Sequence, residues 1–195
     1  MSEKIKPTIL VFAGPNGSGK STVTKLASMI PPYINADEIK KTTQCSDLEA
    51  AVKAEELREM LVSRKSNFTF ETVLSTERNL NLLKKAKGLG YFIKCVYVIT
   101  SNPKINVQRV KVRTAAGGHD VPEDKIISRY SKALALIPEL IEVCDIFHLY
   151  DNTITPFRIF KKRKSEYFLA ENDFWNFEKI TALTKIENPV KKELN

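Results

Sequence analysis

No apolar run in this chain is long enough to cross a bilayer, so a membrane-spanning helix is not expected. Internal repeats are absent, and so is any low-complexity linker, which argues against solenoids and tethered arrays. Cysteine is scarce. Cys45, Cys95 and Cys144 are odd in number and lack metal-ligand spacing, which fits reduced thiols and a cytoplasmic protein rather than a disulfide framework. Negative charge is in deficit: 31 Lys and Arg face 23 Asp and Glu, leaving +8 at pH 7 and a pI of about 9.3. A balance of that sign suits a polyanion such as a nucleotide, a nucleotide-sugar or a nucleic acid. Aromatic and basic residues do not interleave as in base-stacking surfaces, which places nucleic acid behind the other two. The runs Lys161 to Lys164 and Lys191-Lys192 read more simply as solvated surface.

With 195 residues, 43% of them hydrophobic, the chain can build one domain with a sizeable core. Met1 to Ala13 carries lysines and then an apolar stretch, a faint imitation of a signal peptide. That stretch leads straight into Gly14-Pro15-Asn16-Gly17-Ser18-Gly19-Lys20-Ser21-Thr22 and therefore reads as the first core strand. The nine residues contain an intact G-x-x-x-x-G-K-[ST] phosphate-binding loop between a strand and a potential helix, the context the motif requires. Its glycines let backbone N–H groups point inward onto phosphate oxygens. Lys20 supplies a mobile positive charge for β- and γ-phosphates, and Ser21 a hydroxyl for Mg²⁺. The ligand is then a nucleoside triphosphate with magnesium.

Strand and helix alternate along the chain, which predicts a parallel sheet covered on both faces. Strands are expected at about Thr8 to Ala13, Tyr33 to Asn35, Phe68 to Val73, Tyr91 to Thr100 and Asp145 to Tyr150. The first helix should start near Gly19 and stop before Pro31-Pro32. Ser46 and Glu49 form a capping box, predicting a helix to about Arg64 with Ala50, Ala54, Leu57 and Leu61 on one face. Further helices are expected over Glu77 to Lys87, ending at a left-handed Gly88, over Pro103 to Ala116, and from Pro122 until Pro138 ends or bends it. Past Asp151 the pattern is less regular, with an edge strand near Phe157 to Lys162 and a short helix near Phe174 to Thr184.

The acceptor side should lie at the carboxyl ends of the other strands. Asp37 follows the second strand. It can orient an acceptor hydroxyl or take its proton; equally, it can cap the helix opening at Glu38. Glu71 and Thr72, at the end of the third strand, can hold hydroxyls of a small acceptor or form an ordinary turn, and a glutamate so placed in a core strand tilts toward function. Arg109, Arg113 and Arg129 flank Gly117-Gly118, so two helices around a glycine turn can form a lid over the triphosphate, or the arginines can simply be solvated. His119 reads as a turn residue and His148 as a core or strand-end histidine. Asp151-Asn152-Thr153 reads first as a turn, second as a contact on the adenine side.

In this order, the phosphate loop, Asn35-Ala36-Asp37, Phe70-Glu71-Thr72-Val73-Leu74-Ser75, Gly117-Gly118-His119-Asp120-Val121-Pro122 with Arg129-Tyr130, and Asp151-Asn152 resemble the zeta-toxin-like family of P-loop kinases over roughly residues 5 to 155. The resemblance implies a three-layer α/β/α nucleoside-kinase-like fold with a five-stranded parallel sheet. It implies a kinase domain over residues 1–160 with a helical lid near 103–135, and a C-terminal extension, 161–195, packed on the same domain. It implies ATP-dependent phosphorylation of a hydroxyl on a small acceptor, with Gly14 to Thr22 binding ATP and Ser21 the metal. Carried over by position, Lys20, Asp37 as base, Arg113 and Arg129 are catalytic, with Arg109 in reserve; Asp37, Glu71, Thr72 and Lys40 face the acceptor. Characterised zeta toxins phosphorylate UDP-N-acetylglucosamine and are restrained by an antitoxin, so an antitoxin partner is implied as well. Lys40 stands where the family often has arginine, and no long acceptor-binding extension is evident. The kinase reaction is therefore better supported than any one acceptor. A polynucleotide or other small-metabolite kinase, and a non-catalytic nucleotide-binding interaction protein, are the alternatives.

Overall fold

The apolar run that precedes the phosphate loop becomes β1 (Thr8–Ala13), whose residues from Ile9 to Ala13 are all buried. A strand buried on both faces belongs in the middle of a parallel sheet, and β1 pairs in parallel with β3 (Phe68–Thr72) on one side and β4 (Phe92–Ile99) on the other. In the computed structural model, which describes residues 6–25 and 27–192, β2 (Tyr33–Ile34) flanks β3 and β5 (Ile146–Asp151) flanks β4. These five parallel strands run in the order β2-β3-β1-β4-β5. The chain crosses β1 between β3 and β4, so the strand order reverses there and opens a crevice at the carboxyl ends of the strands.

The sheet continues beyond the five expected strands. β6 (Phe157–Arg163) pairs antiparallel with β5, β7 (Glu166–Leu169) antiparallel with β6, and β8 (Val190–Lys191) parallel with β7, giving an eight-stranded sheet. β6 is thus interior rather than an edge. The β6–β7 turn contains Lys164 at φ 56°, a left-handed residue without the glycine or asparagine that usually announces such a turn.

The helices differ from expectation in several places. α1 (Lys20–Thr24) ends well short of Pro31. Its Ser-Thr-Val-Thr sequence is poor in helix formers, and farther on both the N–H and the C=O of Ile30 bond to the Thr69 hydroxyl of β3, at 2.8 Å each, which holds the chain off a helical path. α2 (Ala36–Thr43) is followed by α3 (Asp47–Ser63), which opens on the expected capping box of Ser46 and Glu49. The buried face of α3 is Ala50, Ala54, Arg58 and Val62, whereas Leu57 is exposed. α4 (Glu77–Gly88) ends as expected, but the left-handed residue is Gly90, at φ 89°.

α5 (Pro103–Ala115) and α6 (Glu123–Ala135) enclose a small apolar cluster of Val107, Val110, Val121 and Ile126, separate from the main core. α7 (Ile137–Val143) carries Pro138 in its first turn and packs with α8 (Phe177–Thr184) toward the main core. α8 starts at an Asn176 cap rather than at Phe174. The basic run on β6 is not uniformly solvated either. Lys162 is buried, and its ammonium donates to the carbonyls of Ile141 (2.6 Å) and Glu142 (3.2 Å) at the end of α7, a C-terminal cap that also favours positive charge. No helix among the described residues is long and apolar enough to cross a membrane.

His148, on β5, is partly buried beside the Tyr150 ring, and burial, with Arg158 and Lys161 nearby, pushes its imidazole down to about 4. The unfolded chain takes up this proton near pH 6.5 and the folded chain only near pH 4, so the unfolded state binds more protons in between and stability falls as pH drops through that window. His148→Gln should remove about 2–3 kcal/mol of that acid destabilisation, measured by urea denaturation across the window. An unaltered pH slope in the variant would refute the assignment.

Candidate active site

The loop that follows β1 is clasped from behind. Asn106 of α5 donates to the Asn16 carbonyl at 2.7 Å and is itself fixed by the Thr100 hydroxyl. Asn152, just past β5, donates to the Ser18 carbonyl at 2.8 Å. Both asparagines are buried. Their approach leaves no room for side chains on the loop: a Cβ on Gly17 (φ 74°) would lie 2.4 Å from the Asn106 carbonyl oxygen, and one on Gly19 (φ 84°) 2.1 Å from the Asn152 amide nitrogen. The glycines are needed both for their left-handed backbone and for this contact. Asn152 therefore reaches the loop itself and does more than form a turn. Asn106 was missed in the sequence because nothing local marks a helix asparagine as a loop anchor.

Lys20 is buried, and its ammonium donates to the carbonyls of Gly14 (2.8 Å) and Pro15 (3.3 Å). Burial pulls its pKa below the usual lysine value; Glu71 and Asp37 oppose that shift and Arg113 reinforces it. Glu71 Oε1 lies 3.8 Å from the ammonium. The other carboxylate oxygen of Glu71 accepts from the Tyr33 hydroxyl at 2.9 Å and from the Asn35 amide at 3.4 Å. Burial above all raises the Tyr33 phenol, which stays protonated as a donor to Glu71. Asn35 is also the N-cap of α2, accepting from the Asp37 N–H at 2.8 Å. The capping role open to Asp37 in the sequence thus belongs to Asn35, and the Asp37 side chain is left exposed in the first turn.

These groups surround a cavity of 640 Å³ at the carboxyl ends of β1 and β3. The loop contributes Asn16, Gly17 and Lys20; the start of α2, Asn35 to Asp37; α3, Asp47, Ala50, Ala51, Ala54 and Arg58; the end of β3 and the start of α4, Glu71 to Thr76 and Asn79. The remaining wall is Arg113 of α5, the turn His119 to Pro122, and Lys125 and Arg129 of α6. Arg113 donates to the His119 carbonyl at 2.8 Å, and Arg129 reaches Asn16 Oδ1 at 3.5 Å.

The expected site residues do not all meet here. Lys20, Asp37, Glu71, Thr72, Arg113 and Arg129 line one cavity. Both lone pairs of the Thr72 hydroxyl are engaged, by the Leu74 N–H (3.0 Å) and the Asn79 amide (2.8 Å), so it braces the turn in which Leu74 adopts φ 52°. Lys40 is not on the lining; it pairs at 2.7 Å with Asp47, which is. Arg109 points elsewhere, donating to the Thr153 carbonyl at 3.0 Å. Ser21 and Thr22 are exposed at the start of α1. Arg58 lines the cavity without having been singled out in the sequence.

No family model matches the chain. An uncharacterised protein from Haemophilus influenzae is 29% identical over 127 residues, 62% of this chain and 91% of that protein. A chain of the PezAT chromosomal toxin–antitoxin system of Streptococcus pneumoniae superposes with a TM-score of 0.56 at 15% identity, over 78% of this chain and 71% of the other. A chain of the AvrRxo1-ORF1:AvrRxo1-ORF2 complex with sulphate ions gives 0.68 at 16% identity, over 94% and 65%. The same complex solved with ATP gives 0.65 at 15% identity, over 94% and 65%. This chain spans slightly under two thirds of the AvrRxo1 chain it matches. At these identities the likeness establishes the fold. It is the P-loop kinase-like α/β fold that the zeta-toxin resemblance implied, with an enlarged sheet.

Asn152→Ala leaves the buried Ser18 carbonyl without its donor and should lower stability by about 1–3 kcal/mol. Gly19→Ala should also destabilise, because its Cβ meets the Asn152 amide. The double variant should lose less than the sum, since Asn152→Ala removes the amide that the Gly19→Ala Cβ would meet. Additive losses in chemical denaturation would contradict the clasp.

Proposed function

We propose that this chain is an ATP-dependent kinase that transfers the γ-phosphoryl group to a hydroxyl of a small acceptor. The observation that carries the reading is one cavity lined by Lys20, Asp37, Glu71, Arg113 and Arg129. A cation for phosphate, two carboxylates for a hydroxyl and two arginines for transition-state charge are the parts phosphoryl transfer requires.

In this reading the loop Gly14 to Thr22 fits a triphosphate, because its positive-φ glycines curl the backbone around one point and Lys20 stands inside the curl. Bound ATP supplies the phosphoryl group. Ser21, exposed at the start of α1, would supply the protein oxygen that holds Mg²⁺, which would neutralise charge on the phosphates. Asp37, exposed beside Lys20, orients the acceptor hydroxyl more than it deprotonates it. Glu71, fixed by Tyr33 and Asn35, holds the acceptor; Thr72, whose lone pairs brace the turn, contributes only its O–H as a donor, and Lys40 acts at one remove through Asp47. α5 and α6 form the lid. Their separate apolar cluster lets them move as a unit, and Arg113 and Arg129 ride on it toward the phosphates. Among acceptors, the family resemblance puts nucleotide-sugars such as UDP-N-acetylglucosamine first. The likeness to a chain of a toxin–antitoxin system supports an antitoxin protein as partner. The burial of Lys162 weakens the polynucleotide-kinase alternative, because the basic run is partly committed to capping α7.

Incubation with γ-labelled ATP and a metabolite extract should yield one labelled small product. Lys20→Ala should cut transfer by about 10³-fold or more. Asp37→Ala should slow it by about 10²–10⁴-fold while ATP affinity stays within a few-fold of the parent. Near-normal turnover in the aspartate variant would remove Asp37 as the base, and no labelled product across a broad panel would favour a non-catalytic binding protein.

A further inference from the structure

Arg58 is 7% exposed, its guanidinium carbon lies 5.3 Å from the centroid of the Phe70 ring, and it lines the cavity shared with Lys20 and Asp37. Its Nε is buried and has no hydrogen-bond partner. Arginine does not shed its proton in proteins, so this is a positive charge withdrawn from water without a hydrogen-bonded counter-charge, an arrangement that folding alone disfavours. The acidic residues nearest in its field are committed elsewhere: Glu55 pairs with Arg78 at 2.8 Å and Glu59 with Lys85 at 2.6 Å.

The same cavity is lined by Ser75, Thr76 and Asn79 around the start of α4, whose N-cap Thr76 makes no side-chain capping bond. Glu77 in that first turn is exposed and off the cavity lining. A twelve-residue helix therefore turns its positive end toward the cavity that Arg58, with its unpartnered Nε, also lines. Ala50, Ala51 and Ala54, earlier on the same helix as Arg58, line the cavity with small side chains.

We propose that Arg58 and the N-terminal turn of α4 form an anion site, which holds a phosphate or carboxylate group on the acceptor remote from the hydroxyl that is phosphorylated. Calling the bound molecule the acceptor rests on the kinase reading; the anion site itself does not. The planar guanidinium offers paired donors to either anion, and its carbon sits over the Phe70 ring at 5.3 Å.

Calorimetric titration of inorganic phosphate, and separately of acetate, into protein saturated with a non-hydrolysable ATP analogue and magnesium tests this. At least one ion should bind, and the stronger of the two names the anion class. Arg58→Met should weaken that binding by about tenfold or more, with Arg58→Lys in between, while analogue affinity changes by less than about twofold. The Met variant should melt no lower than the parent, because it removes an unpaired buried charge. Equal anion binding by parent and Met variant, or none by the parent, would overturn the site, and a lower melting temperature with unchanged anion binding would make Arg58 structural. Failure of the analogue to bind would tell against the kinase reading alone. The parent-to-Met difference in phosphate binding, measured on unloaded protein, would then still decide the anion site.

Discussion

The site depends on the docking of a nine-residue loop against two asparagines. Loop backbone has no ladder to satisfy its polar groups, so it needs partners from elsewhere in the fold. Asn106 and Asn152 supply them at Asn16 and Ser18, one from α5 and one from the end of β5. One anchor follows β4 and the other follows β5, so the loop keeps its shape only if β1, β4 and β5 are in register. Conversely, a loop built on Gly17 and Gly19 can sit that close because neither has a side chain to displace. Fold and loop specify each other through this contact.

A second constraint is electrostatic. Lys20 is buried among groups of both signs, with Glu71 and Asp37 favouring its charge and Arg113 opposing it. Glu71 cannot swing freely to neutralise it, because Tyr33 and Asn35 hold its other oxygen. The lysine's own hydrogen bonds go to loop carbonyls, at Gly14 and Pro15. The ammonium is therefore kept at the loop without a tight carboxylate partner, and an incoming polyanion has less to displace than a close ion pair would impose.

Much of this was legible in the sequence because its signals are contiguous. The phosphate loop is read whole between a buried strand and a helix start, and Asp37 and Glu71 are marked because each follows a strand. Arg58 and Asn106 carry no such mark: each is an ordinary polar residue on a helix, given its role by what lies across from it. The same limit accounts for α3, where Ala50, Ala54 and Leu61 turn inward as the stripe predicts but Leu57 stays exposed. It also accounts for β7, hidden because the turn before it uses Lys164 in the left-handed region. Thr69 explains the overextended first helix. Its hydroxyl, 39 residues from Ile30 in sequence, binds the segment in which the first helix was expected to continue.

The two apolar clusters fix how the cavity can change. The main core is continuous from β2 and β3 through β5 to the C-terminal elements, so Lys20, Glu71 and Asp37 are mounted on one body. The α5–α6 cluster of Val107, Val110, Val121 and Ile126 is distinct from it. α6 is nonetheless tethered, by the Tyr130 hydroxyl to the Thr100 carbonyl at 2.6 Å, and α5 by Asn106 to the loop. The tethers lie at the sheet end of the two helices, and the turn from Gly117 to Asp120 lies away from them and is largely exposed. Motion that preserves the tethers must then pivot near Asn106 and Tyr130 and carry Arg113 and His119 through the larger arc. Arg129, one residue from the Tyr130 tether and already near Asn16, would move least. Arg129 is thus held near Asn16 by the resting fold, and in the proposed closure Arg113 is the arginine whose position would be set.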